Sequence, residues 1–125
     1  MLRLTQGWQW AIDESPEWLF VRLRHADCPS PATADLAETM WSIATQRRIV
    51  RLVIELEESS LLGSALVGQL VILHKRAHLA DGVVRLCGLS EDHYRVIETL
   101  RLGDRFPNYA DREAAVMGYR LRKPR

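Results

Sequence analysis

Cysteine, net charge, long apolar runs and nucleotide signatures are all scarce in this 125-residue chain. Cys28 and Cys87 are its only cysteines and lie far apart with no C-x-x-C pair, which removes zinc ribbons and dithiol redox chemistry. Both are expected to be reduced thiols, Cys28 in a loop and Cys87 as a small buried hydrophobe. Lys plus Arg (17) nearly cancel Asp plus Glu (16), so the broad positive field needed for non-specific nucleic-acid binding is missing. The uncharged run from Ser59 to Leu73 contains three serines and a glutamine, making it too short and too polar to span a bilayer. MLRLTQGWQW lacks the apolar run of a secretory signal, so a cytoplasmic location is expected. There is no G-x-x-x-x-G-K-[ST], G-x-G-x-x-G or G-x-S-x-G, and no enzymatic activity or cofactor is expected.

What is present is enough apolar material (47%) for one core, and a legible order of elements. A single domain over 1–125 is expected, with its core at about 8–117 and a basic tail over 118–125. Trp8 to Ile12 and Trp18 to Leu23 flank the turn chemistry of Asp13-Glu14-Ser15-Pro16-Glu17 and predict a β-hairpin. After a Pro-containing loop, Ser30, Thr33 and Asp35 are candidate caps of a helix. Its inward face is Leu36, Met40 and Ile43, widened by Ala37 and Ala44, and it ends at Gln46-Arg47-Arg48. Ile49 to Leu56 is almost continuously apolar, as a central strand of a parallel sheet covered on both faces would be. A Gly-Ser step then opens a helix with Leu66, Leu70, Leu73 and Ala77 on one stripe, broadened by Val67 and Val71. Ala80-Asp81-Gly82 ends it, and a right-handed crossover would return the chain to a strand over Val83 to Cys87. Ser90 is a candidate cap, although His93 stands where a capping box carries Glu or Gln. From the helix that follows, Val96, Leu100 and Ile97 are expected to point inward, and Leu102-Gly103 to end it. Phe106 to Tyr109 forms a short extended piece, and Asp111 caps a last helix.

In this order the sequence resembles the STAS domain of bacterial anti-sigma factor antagonists, over roughly Trp18 to Met117. Leu52-Val53-Ile54-Glu55-Leu56 is similar to the family's V-L-D-L strand. Gly63-Ser64-Ala65-Leu66-Val67-Gly68 lies where the family carries D-S-S-G-L-G or D-S-T-G-L-G, and His74-Lys75-Arg76 resembles its H-K-R. Arg85-Leu86-Cys87-Gly88-Leu89-Ser90 is similar to R-L-x-G-L-S, and Leu102, Phe106, Tyr109 and Ala114 match the closing positions. The departures are Gly63 for the acid, Ala65 for the second hydroxyl and Leu66 for the first glycine. The family's Gly-Glu-Leu-Asp segment has only Asp27 as a counterpart. The resemblance implies an α/β fold: a small mixed sheet of four to five strands, with about four helices packed mainly on one face.

It also implies a protein-binding module whose partner is an anti-sigma factor of the histidine-kinase-like ATPase type. Ser64 would be the phosphoacceptor, or else simply the N-cap of an apolar helix, a place serine favours. The partner-binding candidates are Leu61, Leu62, Gly63, Ser64, Ala65, Val67 and Gly68, with Glu55 and Glu58 beside them. Glu55, Glu57 and Glu58 either substitute for the missing acid or form a solvated turn. The departures also admit an unswitched STAS scaffold or self-associating subunit, and more remotely a small-ligand or lipid-system STAS domain. His74 and His78 have metal-ligand spacing, but Lys75 stands where a zincin has its glutamate, so they are assigned to the helix dipole. Trp8, Trp10, Trp18 and Trp41 offer an exposed patch on the hairpin as one reading; the expectation is that two or three of them fill the edge of the core, because aromatic residues in short strands usually pack.

Overall fold

A computed structural model describes residues 2–5, 8–25, 36–56 and 64–118. Five strands form one sheet in sequence order: β1 (Leu2–Thr5), β2 (Trp8–Glu14), β3 (Leu19–His25), β4 (Arg51–Leu56) and β5 (Val83–Cys87). β1–β2 and β2–β3 are antiparallel, whereas β3–β4 and β4–β5 are parallel, so the sheet is mixed. The β2–β3 hairpin arises where the sequence places it. Its turn is closed by the Ser15 N–H donating to the Trp18 carbonyl (2.9 Å) and the Trp18 N–H donating to Ser15 Oγ (3.1 Å). β1 was not anticipated from the sequence, and β4 lies between β3 and the edge strand β5, so it is interior without being the middle strand.

Four helices lie among the described residues: α1 (Leu36–Gln46), α2 (Ser64–Leu79), α3 (Glu91–Thr99) and α4 (Arg112–Met117). Alternation along the strands assigns them to faces. Leu52, Ile54 and Leu56 of β4, with Val84 and Leu86 of β5, join Leu36, Met40, Leu66, Leu70, Leu73 and Ile97 in the main core, so α1, α2 and α3 cover one face. Val53 and Cys87 point the other way and meet Trp18, Tyr109 and Ala115 in a smaller cluster under α4. Three helices on one face and one short helix on the other is the expected α/β arrangement, refined.

Two local expectations are corrected. In α3 the buried pair is His93 and Ile97, one turn apart, with Val96 partly buried; Leu100 is 44% exposed. The helix stops at Thr99 and not at Gly103, with Leu100 as its C-cap and Arg101 just beyond it in the left-handed region at φ 58°. The three described tryptophan side chains pack: Trp10 and Trp18 are buried and Trp41 lies against the core. Cys28, Asp27, Ser30, Thr33, Asp35 and the tail 119–125 lie outside the described residues.

Candidate functional site

α2 is the element on which the sequence places the site. Its buried stripe of Leu66, Val67, Leu70, Leu73 and Ala77 binds it to the main core. Its far end is pinned by the Gly82 N–H donating to the Ala77 carbonyl (2.7 Å) and the Val83 N–H donating to Val50 (3.0 Å). These bonds fix the carboxyl end of α2 beside the amino ends of β4 and β5. At 1.5 Å per residue, Ser64 therefore lies about 22 Å away, toward the carboxyl ends of those strands. α/β sheets commonly place binding surfaces at that end. The Ala37 N–H donates to Gln69 Oε1 (3.0 Å), so α1 begins beside the first half of α2, and Arg76 pairs with Glu38.

Of the nine candidate residues, the structure brings Ser64, Ala65, Val67 and Gly68 onto the first turns of α2. Leu61, Leu62, Gly63 and Glu58, together with Glu57, lie outside the described residues. Val67 is buried at 3% and Leu66 at 2%, so both serve the core. Gly68 is exposed, with nothing within 4 Å of the position a Cβ would take. α2 has no acidic residue in its first turn, which leaves the positive end of its dipole without a carboxylate from the helix itself.

Glu55 faces away from α2. Standing between Ile54 and Leu56, it lies on the α4 side of the sheet, where its Oε1 accepts from Arg112 Nε (3.0 Å) and lies 3.6 Å from Arg22 Nε. Arg112 also donates to Asp13 (2.8 Å) and stands over the Phe20 ring. Burial works against the Arg112 charge, but these hydrogen bonds to Asp13 and Glu55 outweigh it and raise its affinity for the proton. The Glu55 carboxylate is thus committed to fastening the start of α4.

A second arginine on that face was not singled out from the sequence. Arg85 Nη1 donates to the carbonyls of Ala115 (2.6 Å) and Val116 (3.4 Å), at the carboxyl end of α4. Its guanidinium also stands 5.6 Å from the ring centroids of both Trp18 and Tyr109. A charged residue in the apolar strand V-V-R-L-C was the available signal. Beneath this layer Cys87 is fully buried, and burial, reinforced by Glu55, pushes its thiol up to about 12. It is an inert packing residue.

His74 stacks edge-on against Phe106 with ring centroids 5.4 Å apart. Burial, with Arg105 and His78 nearby, lowers its pKa below the ordinary 6.5. No group of three or more His, Cys, Asp or Glu suited to a metal ion occurs among the described residues, and no helix among them is long and apolar enough to cross a membrane.

Among solved structures, this fold is similar to an anti-sigma-factor antagonist (STAS) domain protein from Planctomyces limnophilus. The TM-score is 0.66 at 21% identity, covering 87% of this chain and 96% of that one. It is also similar to the Bacillus cell fate determinant SpoIIAA in its phosphorylated form, with TM-score 0.63, 18% identity, and 90% and 100% of the two chains covered. The unphosphorylated form of SpoIIAA, an anti-sigma factor antagonist, gives 0.61 at 14% identity over the same shares. Comparison with curated proteins by sequence gives no match. These structural likenesses establish the fold, and a family model adds the lineage by matching residues 12–115: the chain belongs to the STAS domain family.

Proposed function

We propose that this protein is an anti-sigma factor antagonist: a cytoplasmic, non-enzymatic module that binds a kinase-type anti-sigma factor and thereby releases a sigma factor for transcription. The observation that carries this reading is the position of Ser64, the first residue of α2, on the helix whose opening turns lie toward the carboxyl ends of the parallel strands. Phosphate at a helix amino end gains from the dipole and from free N–H groups, while the same charge in a docked apolar interface is costly. One modification could therefore hold the free protein stable and expel its partner. Titration calorimetry against the histidine-kinase-like ATPase anti-sigma factors of the source organism tests it. Binding by the wild type and by Ser64→Ala, with loss of at least tenfold for Ser64→Asp, is expected (about 1.4 kcal/mol per tenfold). Absence of binding to all of them overturns the proposal.

A second reading has its own observation. Leu66, where the regulated motif has its first glycine, is 2% exposed and packs in the main core. Together with Gly63 and Ala65 this favours an unswitched STAS scaffold or self-associating subunit. Mass spectrometry of the native protein separates the two, because stoichiometric phosphate on Ser64 in any growth phase excludes the unswitched form.

A further inference from the structure

The outer face of α2 is unlike that of the other helices. Gly68, Ile72, Lys75 and Leu79 follow one another at spacings of four, three and four. At about 100° per residue this puts them within about 60° of arc, along roughly 16 Å of helix. Ile72 is 44% exposed and Leu79 86% exposed, and the space above Gly68 is open. Nothing in the fold requires glycine at 68: its φ is not in the left-handed region, and no neighbour would meet a Cβ. Glycine within an exposed helix costs about 1 kcal/mol relative to alanine, and here the fold returns nothing for it. A bare backbone does, however, allow another chain to approach closely.

Charge narrows what that chain can be. Between Ser64 and Leu79 there is no Asp or Glu, while Lys75, Arg76 and two histidines lie in the second half. Arg76 is paired with Glu38, whereas Lys75 has no ion-pair partner among the described residues. A second copy of α2 laid antiparallel on this stripe would set Lys75 against Ile72 and bring the two Lys75 side chains within one helical turn of each other, with no Asp or Glu on either helix to offset them, so a symmetric pairing of α2 with itself is disfavoured. An acidic amphipathic helix fits: its apolar residues meet Ile72 and Leu79, a carboxylate meets Lys75, and its backbone closes over Gly68. We propose that the docking surface continues from Ser64 along Gly68, Ile72, Lys75 and Leu79, and that the partner engages it with an acidic amphipathic helix of about three turns. This rests on the anti-sigma factor reading above, and adds to it the reach of the surface and the chemistry of what lands there.

The test measures thermal midpoint, oligomeric state and affinity for the anti-sigma factor that binds wild type. Gly68→Ala is expected to raise the midpoint by about 3–5 °C while weakening binding at least tenfold, opposite signs that a purely structural role cannot produce. Lys75→Glu is expected to weaken binding at least tenfold and Lys75→Arg to preserve it, with the wild-type affinity falling as salt rises. Leu79→Ser, exposed and therefore safe for folding, is expected to lose several-fold. Full binding by Gly68→Ala and Lys75→Glu overturns this inference and leaves the proposed function standing. Failure of wild type to bind any candidate overturns both. A wild-type dimer that Lys75→Glu dissociates would assign the stripe to self-association and overturn the acidic-helix proposal.

Discussion

Gly82 shows how one residue can hold two strands in register. A Cβ there would overlap the carbonyl oxygen of Val50, which accepts the Val83 N–H that begins the β4–β5 pairing. Gly82→Ala must push the strand starts apart, and a loss of about 3 kcal/mol or more in urea unfolding is expected, since neither clashing group can rotate away. Arg101 is the opposite case. It holds a left-handed φ of 58° with a side chain that disfavours it, at the place where helices usually carry glycine. Arg101→Gly is expected to add about 0.5–1 kcal/mol in the same experiment. Asp81, at φ 60°, pays a smaller penalty because aspartate tolerates this region better.

At the scale of elements, the caps explain why short helices survive. In α3 the Ser90 Oγ accepts from the His93 N–H (3.1 Å), and the Ser90 N–H donates to His93 Nδ1 (3.3 Å), so a histidine completes a capping box usually closed by Glu or Gln. His93→Gln is expected to stay within about 0.5 kcal/mol of wild type in the cap itself, and His93→Ala to lose about 1–2 kcal/mol, because the side chain is also buried. Measurement of both by thermal unfolding separates capping from packing. α4 has only six residues and cannot stand alone. Asp111 caps its first turn through the Ala114 N–H (2.8 Å), Arg112 fastens its start to Glu55 and Asp13, and Arg85 holds its last carbonyls. Arg85→Ala removes the hold on those carbonyls and the stacking on Trp18 and Tyr109 together, and a loss of about 2 kcal/mol is expected.

At the scale of the whole molecule, His74 gives stability one dependence on pH. Its imidazole is held below 6.5 in the folded protein by burial against Phe106 and by Arg105 and His78. As pH falls through 6.5 the unfolded chain takes up the proton first, so this contribution to stability is present above 6.5 and is lost on acidification. His74→Gln is expected to flatten the pH dependence of the unfolding midpoint on acidification below 6.5. An unchanged slope would show that His74 is not responsible.

Most of the fold was legible because each core element carried its own period and its own punctuation: V-I-E-L and V-V-R-L-C for the strands, and Leu66, Leu70, Leu73 and Ala77 before Ala80-Asp81-Gly82 for α2. β1 was not legible, since four residues on a sheet edge are a strand only by virtue of what they pair with. Leu100 misled because the helical period was carried one residue past the end of α3, onto its C-cap. Of the candidate site, the position of Ser64 on α2 was readable from Gly-Ser followed by an apolar stripe. Glu55 was not, because strand alternation sends it to the opposite face and its partner Arg112 is 57 residues away. The grouping of Arg85 with Trp18 and Tyr109 joins three distant segments and exists only once the sheet has formed.

The two faces of the sheet differ in how firmly they are closed. One is sealed by three helices and most of the core, the other by α4, whose Ala115 packs with Trp18, Val53, Cys87 and Tyr109, and Cys87 is fully buried there. Opening of α4 therefore needs far less surface to be exposed than global unfolding does. Cys87 then becomes a built-in reporter: the rate at which a thiol reagent modifies it measures the fraction of molecules with α4 detached. Arg85→Ala should speed that labelling well before the main core loosens, and equal labelling and global unfolding free energies would show that α4 opens only with the whole domain.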